Sequence, residues 1–418
     1  MTVLLTFLGT GKYEPCHYKI ENTTSRLETF FSAALSAHLK PSKIISLETA
    51  AASETHGKEL SGKFKSIDIP HTSAIIPDGK SESELWEIFD VLTKSVPDDC
   101  TLHLDITHGF RSLPLIGFIA LNYLRTTRNV TLGGIHYGAW EARDEETNVT
   151  PSFNLTPFLT LLDWTSAADQ YLATGSANRL GKLLKDTQQS LWKKHGSEEN
   201  ADLPKALTSL GSCIETAAND CILLRTKNLP ISAKSVKKQI ERINETSELE
   251  RHAPAFLEIL QPVQKDLTRF NNTDLTTLRD LIGWLVEKNR PDAALTLASE
   301  WLVSWVMVQL DNPDHISDES HRKPYDQCLN LWIDEHSTRN EIKDASEESI
   351  QHLNQLKDKI SETDMELLAN LVDHIKSARN DLNHAGFRTS PSTAENLIKK
   401  ATEISTNIQK LPLPRAEK

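Results

Sequence analysis

The sequence predicts an α/β unit followed by an all-helical one. Three observations carry that reading. Short β-rich runs alternate with amphipathic helical runs up to about residue 160, the β signals fade from about Leu159 while helical periodicity continues to the end, and residues 101–114, TLHLDITHGFRSLP, read as strand, polar turn and helix. Strands are predicted at 2–8, 43–48, 64–70, 101–106 and 129–140, where β-branched and apolar residues cluster between turn residues. Helices fit between them at 26–39, 83–96 and 113–127, whose apolar residues recur every three to four positions. This βαβ pattern calls for a mostly parallel, doubly wound sheet. Residues 136–146 followed by VTPSFNLTPF suggest a terminal antiparallel hairpin, with Pro151 and Pro157 marking its exit.

The helical remainder divides at sequence level into a middle region, 161–285, and a last region, 286–418. The middle region holds long amphipathic runs and a basic stretch, SAKSVKKQIERI (232–243), whose bland reading is a solvated helix face and whose sharper one is a helix-turn-helix piece. Trp284, Trp301 and Trp305 fall at helical spacing, a pattern that belongs to core or interface more often than to base stacking. The tail LPLPRAEK is expected to fray.

At 418 residues the chain exceeds the usual size of one domain. Its 38% hydrophobic and 25% charged residues are ordinary for a soluble protein. Nothing reaches the length of an apolar membrane span, and the opening MTVLLTFLGTGK lacks a basic n-region, so no membrane partner and a cytoplasmic location are expected. Five cysteines stand without CxxC or zinc-like spacing, so neither a disulfide framework nor a metal site is predicted. A net charge of −12 argues against a surface built for non-specific duplex binding, though not against a small local cationic site.

The turn after the fourth predicted strand is the most specific feature. In open α/β sheets the loops at the carboxyl ends of strands line the ligand crevice, and a helix start adds N–H donors that suit phosphate. Here Gly109 would let the backbone approach a ligand, Arg111 could fork onto phosphate oxygens, and Thr107 and His108 supply directional hydrogen bonds, with Phe110 in the same turn. Asp105 is expected to orient the turn, since a carboxylate would repel phosphate. Gly9, Thr10, Gly11, Lys12 and Tyr13 follow the first strand as a second candidate loop, but without the spacing of a P-loop or the third glycine of a dinucleotide fingerprint.

Asp105, Thr107, His108 and Gly109 match the DxTHG motif of CRISPR-associated CARF proteins, and FLGTGKY (7–13) and HYGAWEARDEE (136–146) resemble the same family. The resemblance implies a Rossmann-like sensor over residues 1–160 that binds cyclic oligoadenylate, with Gly9 to Tyr13 and Thr107 to Arg111 as the ligand loops. Family analogy favours cyclic tetra-adenylate, acting as an allosteric activator with no other cofactor. It also implies a dimer or higher homo-oligomer with the ring on a two-fold axis.

In the last region Arg379, Asn380 and His384 form R-N-x3-H on a helix whose apolar face is Leu368, Leu371, Val372, Ile375 and Leu382, with Gly386 as its stop. An R-x4-H pair is frequent by chance, but a helical bundle after a CARF-like sensor and ending in this pattern resembles a HEPN ribonuclease. That resemblance implies metal-independent cleavage of single-stranded RNA, an endoribonuclease of type III CRISPR antiviral defence. The chemistry suits the residue types, because RNA carries its own nucleophile, a histidine exchanges protons near neutral pH, and arginine matches phosphate geometry. Positions five apart on a helix differ by about 140°, so a two-fold pairing of helices is needed to bring both groups to one phosphate. Asp373 and His374 are adjacent on the helix and read as a surface pair. Two alternatives stay open: a ligand-responsive transcription regulator using the 232–243 region, and a sensor that also degrades its own ring.

Overall fold

A computed structural model describes residues 1–195, 203–244, 254–313, 316, 318–336, 346–387 and 389–413. The chain divides into two compact units, Met1–Thr160 and Leu161–Lys418.

The first unit is a Rossmann-like α/β layer structure built on eight strands: β1 Thr2–Leu8, β2 Cys16–Ile20, β3 Thr23–Glu28, β4 Lys43–Thr49, β5 His71–Ile76, β6 Thr101–Asp105, β7 Thr131–Gly138 and β8 Val149–Asn154. They lie in the order β3-β2-β8-β7-β6-β1-β4-β5. From β5 to β7 every neighbouring pair is parallel, and β8 returns antiparallel to β7, as the hairpin pattern required. The helices are α1 Phe31–Leu39, α2 Ala50–Ala52, α3 Lys58–Ser66, α4 Glu82–Ser95 and α5 Leu113–Thr127, with a π-helical turn at Ser53–Gly57 between α2 and α3.

β1 is buried from Val3 to Leu8 because both faces of a parallel sheet are covered. Val3, Leu5 and Phe7 join Leu102, Leu104 and the apolar sides of α4 and α5, while Leu4 and Leu8 join Phe31, Leu60 and Phe64 on the other face. That period-two split fixes which residues at the strand ends can meet.

Two expectations are corrected. Residues 64–70 are not a strand: Leu60 and Phe64 bury one helical turn apart on α3, and the strand begins at His71. The helix expected from residue 26 starts at Phe31, because 23–28 form the edge strand β3. β2 and β3 themselves were not foreseen; a tight turn with Glu21 at φ 53° joins them.

The second unit is all-helical among the described residues. Its first helices are α6 Thr156–Thr174, which contains the boundary between units, α7 Asn178–His195, α8 Leu203–Ile222, α9 Leu229–Asn244 and α10 Pro254–Thr268. They are followed by α11 Leu275–Glu287, α12 Pro291–Gln309, α13 Glu319–His336, α14 Glu347–Lys359, α15 Glu362–Asn383 and α16 Ala394–Ile408. One buried cluster runs from Trp164 to Leu411, so the regions set apart in sequence at 285/286 share a core. Trp284, Trp301 and Trp305 are buried in it, and their indole N–H groups donate to Asp266 Oδ2, Leu275 O and Pro412 O at 2.7, 2.8 and 2.8 Å. These tryptophans are core. In 232–243 Val236, Ile240 and Ile243 face inward while Lys234, Lys237 and Lys238 are exposed. The tail beyond residue 413 lies outside the described residues. Among the described residues no helix is long and apolar enough to cross a membrane.

Candidate functional site

The carboxyl ends of β6, β1 and β4 lie side by side, so the loops that follow them meet at one edge of the sheet. Asp105, the last residue of β6, is fully buried there. Its Oδ2 accepts from Thr6 Oγ1 of β1 at 2.8 Å and its Oδ1 accepts from the Thr107 backbone N–H at 2.9 Å. Burial pushes its carboxyl up to about 6, although the Thr107 hydroxyl and backbone and the Thr6 hydroxyl all favour the charged form. Asp105 thus ties the turn to the neighbouring strand and carries no free oxygen toward solvent.

Thr107 continues the network. Its hydroxyl donates to Asp105 and accepts from the Gly138 backbone N–H at 2.9 Å, linking the turn to the end of β7. The His108 ring lies 4.4 Å, centroid to centroid, from Tyr13, and its Nε2 accepts the Phe31 N–H at 3.1 Å. Burial, then the neighbouring His56 imidazole, lowers His108 to about 4, so it is a neutral ring with its remaining proton on Nδ1. Phe110 packs into the core beneath the turn, against Gly79, where a Cβ would lie 2.9 Å from the phenyl ring. Gly109 has a packing reason to lack a side chain: a Cβ would sit 3.1 Å from Leu113 Cβ and 3.5 Å from Phe7 Cβ. Arg111 is exposed at the entrance to α5.

The β1 loop meets this turn closely. A Cβ on Gly9 would come within 2.7 Å of the His108 carbonyl oxygen, so only glycine permits the approach. Tyr13 folds back over the loop, its hydroxyl accepting the Gly9 N–H at 3.1 Å and its ring wedged among Phe30, His56 and His108. Burial raises the Tyr13 phenol. Thr10, Gly11 and Lys12 are left exposed. The two sequence-predicted loops therefore share one rim, with Lys12 and Arg111 supplying exposed cations and Thr10 a hydroxyl.

A residue that sequence reasoning missed completes the rim. His56, on the π-helical turn after β4, places Nε2 2.9 Å from Gly11 O, and its ring lies 4.9 Å from that of Tyr13, tilted by 48°. The signal was in the chain: Thr55-His56-Gly57 repeats the tripeptide of 107–109, and the two copies follow the two strands that flank β1.

In the helical unit, Ser361 caps α15 by accepting the Asp364 N–H at 3.1 Å, and Ala385 and Gly386, at φ 49° and 78°, turn the chain out at its end. Leu368, Leu371, Val372, Ile375 and Ala378 bury the inner face. Arg379 is half-buried and its Nη1 donates to Ser299 Oγ of α12 at 3.1 Å. Asn380 is exposed, and His384 is exposed at the C-cap with its backbone N–H on Asn380 O at 3.1 Å. Arg379 thus leans toward α12 while His384 stands free at the helix end. Between them Asp381 is buried and its Oδ2 accepts the Ser392 N–H at 2.7 Å, pinning the segment after the turn to α15. Asp373 and His374 are both exposed. Among the described residues no three of His, Cys, Asp and Glu converge as a metal site needs.

No family model matches the chain. Over 123 residues it is 32% identical to the CRISPR-associated protein MJ1674 of Methanocaldococcus jannaschii, a match that takes in 29% of this chain and 19% of that protein. The chain therefore aligns with about a fifth of the relative's length.

Proposed function

We propose that the protein is a ring-nucleotide-activated ribonuclease of CRISPR defence. In this reading the N-terminal unit binds a cyclic oligoadenylate, with cyclic tetra-adenylate the favoured ring, and the helical unit cleaves single-stranded RNA. The observation that carries the sensor half is the approach of Gly9 to the His108 carbonyl, which joins the Gly9–Tyr13 and Thr107–Arg111 loops into one rim at the carboxyl edge of the sheet. Similarity to a CRISPR-associated protein supports the biological setting. Leu115, Ile119 and Tyr123 form an exposed apolar stripe along α5, next to exposed Trp86, and such a stripe suits a second copy of the chain. A symmetric pair would present two such rims to a symmetric ring.

Cleavage needs three things from the protein. A base must take the proton of the RNA 2′-hydroxyl, an acid must protonate the departing 5′-oxygen, and a cation must stabilise the charged phosphorane. His384 is exposed and supplies an imidazole, Arg379 supplies a guanidinium, and Asn380 offers an amide on the same helix end. Two copies of α15 facing each other give two histidines, one for each proton transfer. The products are a 2′,3′-cyclic phosphate and a 5′-hydroxyl.

The test is one incubation of purified protein with labelled single-stranded RNA, with and without cyclic tetra- or hexa-adenylate. Ring-dependent cutting is expected from the wild type and none from His384→Ala. RNA left intact in the presence of either ring, or cut equally by the variant, rejects the reading.

A further inference from the structure

Two Thr-His-Gly turns embrace the β1 loop, and their histidines are used differently. His108 accepts the Phe31 N–H at Nε2 and is packed against Tyr13, so its acceptor is spent inside the fold. His56 also packs against the Tyr13 ring, 4.9 Å between centroids, and is half-exposed. Its Nε2 meets the Gly11 carbonyl, which can only accept, so the proton of the neutral ring is on Nε2. Nδ1 is then a lone-pair acceptor, and among the described residues no polar group meets it.

The turn that presents this ring is built to hold it. Thr49 Oγ1 accepts the Ala52 N–H at 3.2 Å and starts the helical stretch. The π-helical register then inserts one extra residue, a feature that recurs at functional sites. Gly57 closes the turn onto buried Glu48, since a Cβ there would lie 3.1 Å from Glu48 Oε2 and 3.0 Å from Ser53 Oγ. The imidazole is therefore fixed in place and in tautomer before any ligand arrives.

We propose that His56 is a ligand-reading residue that accepts, through Nδ1, a hydrogen bond from a donor on the bound nucleotide. That donor is the exocyclic amine of adenine or a ribose 2′-hydroxyl. The inference rests on the reading of this rim as a cyclic oligoadenylate site, and it assigns to His56 a role that His108 cannot share. A carbonyl at the same position on the base, as in hypoxanthine, would set two acceptors against each other, and a missing hydroxyl would leave Nδ1 unpaired.

Calorimetry at pH 8 on the wild type, His56→Gln and His56→Asn distinguishes the possibilities, with three rings as probes: cyclic tetra-adenylate, its inosine counterpart and its 2′-deoxy counterpart. The wild type is expected to prefer the adenylate ring over one of the two substituted rings by about tenfold or more. Glutamine carries its amide nitrogen to the Nε2 position and still reaches Gly11, but it has no acceptor at Nδ1, so that preference collapses to about onefold. Asparagine places its amide oxygen at the Nδ1 position and keeps the preference. The ring whose discrimination is lost names the donor. Unchanged ratios for both rings in His56→Gln, or an equal loss of affinity for all three, overturn the role of His56 and leave the ring site standing. A wild type that binds none of the rings overturns the site itself, and His56 with it.

Discussion

Asp105 concentrates the chemistry of the sheet edge in one side chain. Its carboxyl is buried, holds two strands and a turn together, and sits at about 6 because desolvation outweighs three hydrogen bonds. The sign of the resulting pH dependence follows from linkage. Below about pH 4 the carboxyl is protonated in folded and unfolded chains alike. Between about 4 and 6 only the folded chain keeps the proton, so stability falls as pH rises, by about 3 kcal/mol in total, and is flat above that window. Asp105→Asn removes this contribution while keeping the acceptor for Thr107, so its denaturation midpoint should lose that slope between pH 4 and 6. An identical slope in wild type and variant would assign it to other groups. Gly9 gives a second residue-scale expectation. Gly9→Ala forces the Cβ against the His108 carbonyl, costs about 1–3 kcal/mol by overpacking and separates the two loops. Ring binding should weaken much more than the midpoint shifts, and undiminished ring affinity would mean that the two loops need not touch.

At the scale of elements, α15 joins a packed half to an exposed end. Arg379 is held by Ser299 of α12, and His384 stands beyond the last helical residue. Arg379→Ala and His384→Ala should each abolish cleavage, by at least about a hundredfold, with folding and ring binding intact. Ser299→Ala removes only the anchor. It should cost about 1 kcal/mol of stability or less and lower the turnover rate several-fold without abolishing it. Full loss in Ser299→Ala would make that hydroxyl part of the reaction.

Elements also show what could be read in the chain and what could not. β1 and β4 were legible because continuous burial leaves long apolar runs, β6 and α5 because their apolar residues keep strand and helix spacing, and the DxTHG turn because its residues are adjacent in sequence. β3 was not, since an edge strand with mostly exposed residues has no alternation to display. The 64–70 run misled because Ile67 and Ile69 alternate as in a strand, while Phe64 buries one helical turn after Leu60 on the same helix. His56 was missed because its place beside Gly11, 45 residues away in sequence, depends on β4 lying next to β1, which no local pattern encodes.

For the whole molecule, the proposed activity joins three requirements: a second copy, a ring and an RNA. The apolar stripe on α5 makes the first testable. Ile119→Glu places a charge in the stripe of Leu115 and Tyr123, and it should shift the sedimentation of the protein to that of a single chain and weaken ring binding together. Because the nucleophile belongs to the RNA, cutting should persist in EDTA, leave 2′,3′-cyclic phosphate ends and spare DNA; loss of activity on chelation would call for a metal instead. The link between ring and RNA is constrained by thermodynamics. If the ring raises cleavage by favouring the arrangement that binds RNA, then RNA must favour the arrangement that binds the ring, by the same factor. The cleavage-dead His384→Ala protein allows both ligands to be present at equilibrium. Ring affinity measured on it with saturating RNA should exceed that without RNA, and RNA affinity should rise equally when the ring is saturating. Arg111→Ala, which removes an exposed cation from the rim, should weaken the ring in both measurements and leave RNA affinity in the absence of ring unchanged. Equal ring affinity with and without RNA would mean that the ring acts on the chemical step alone, with no shared conformational equilibrium between the two units.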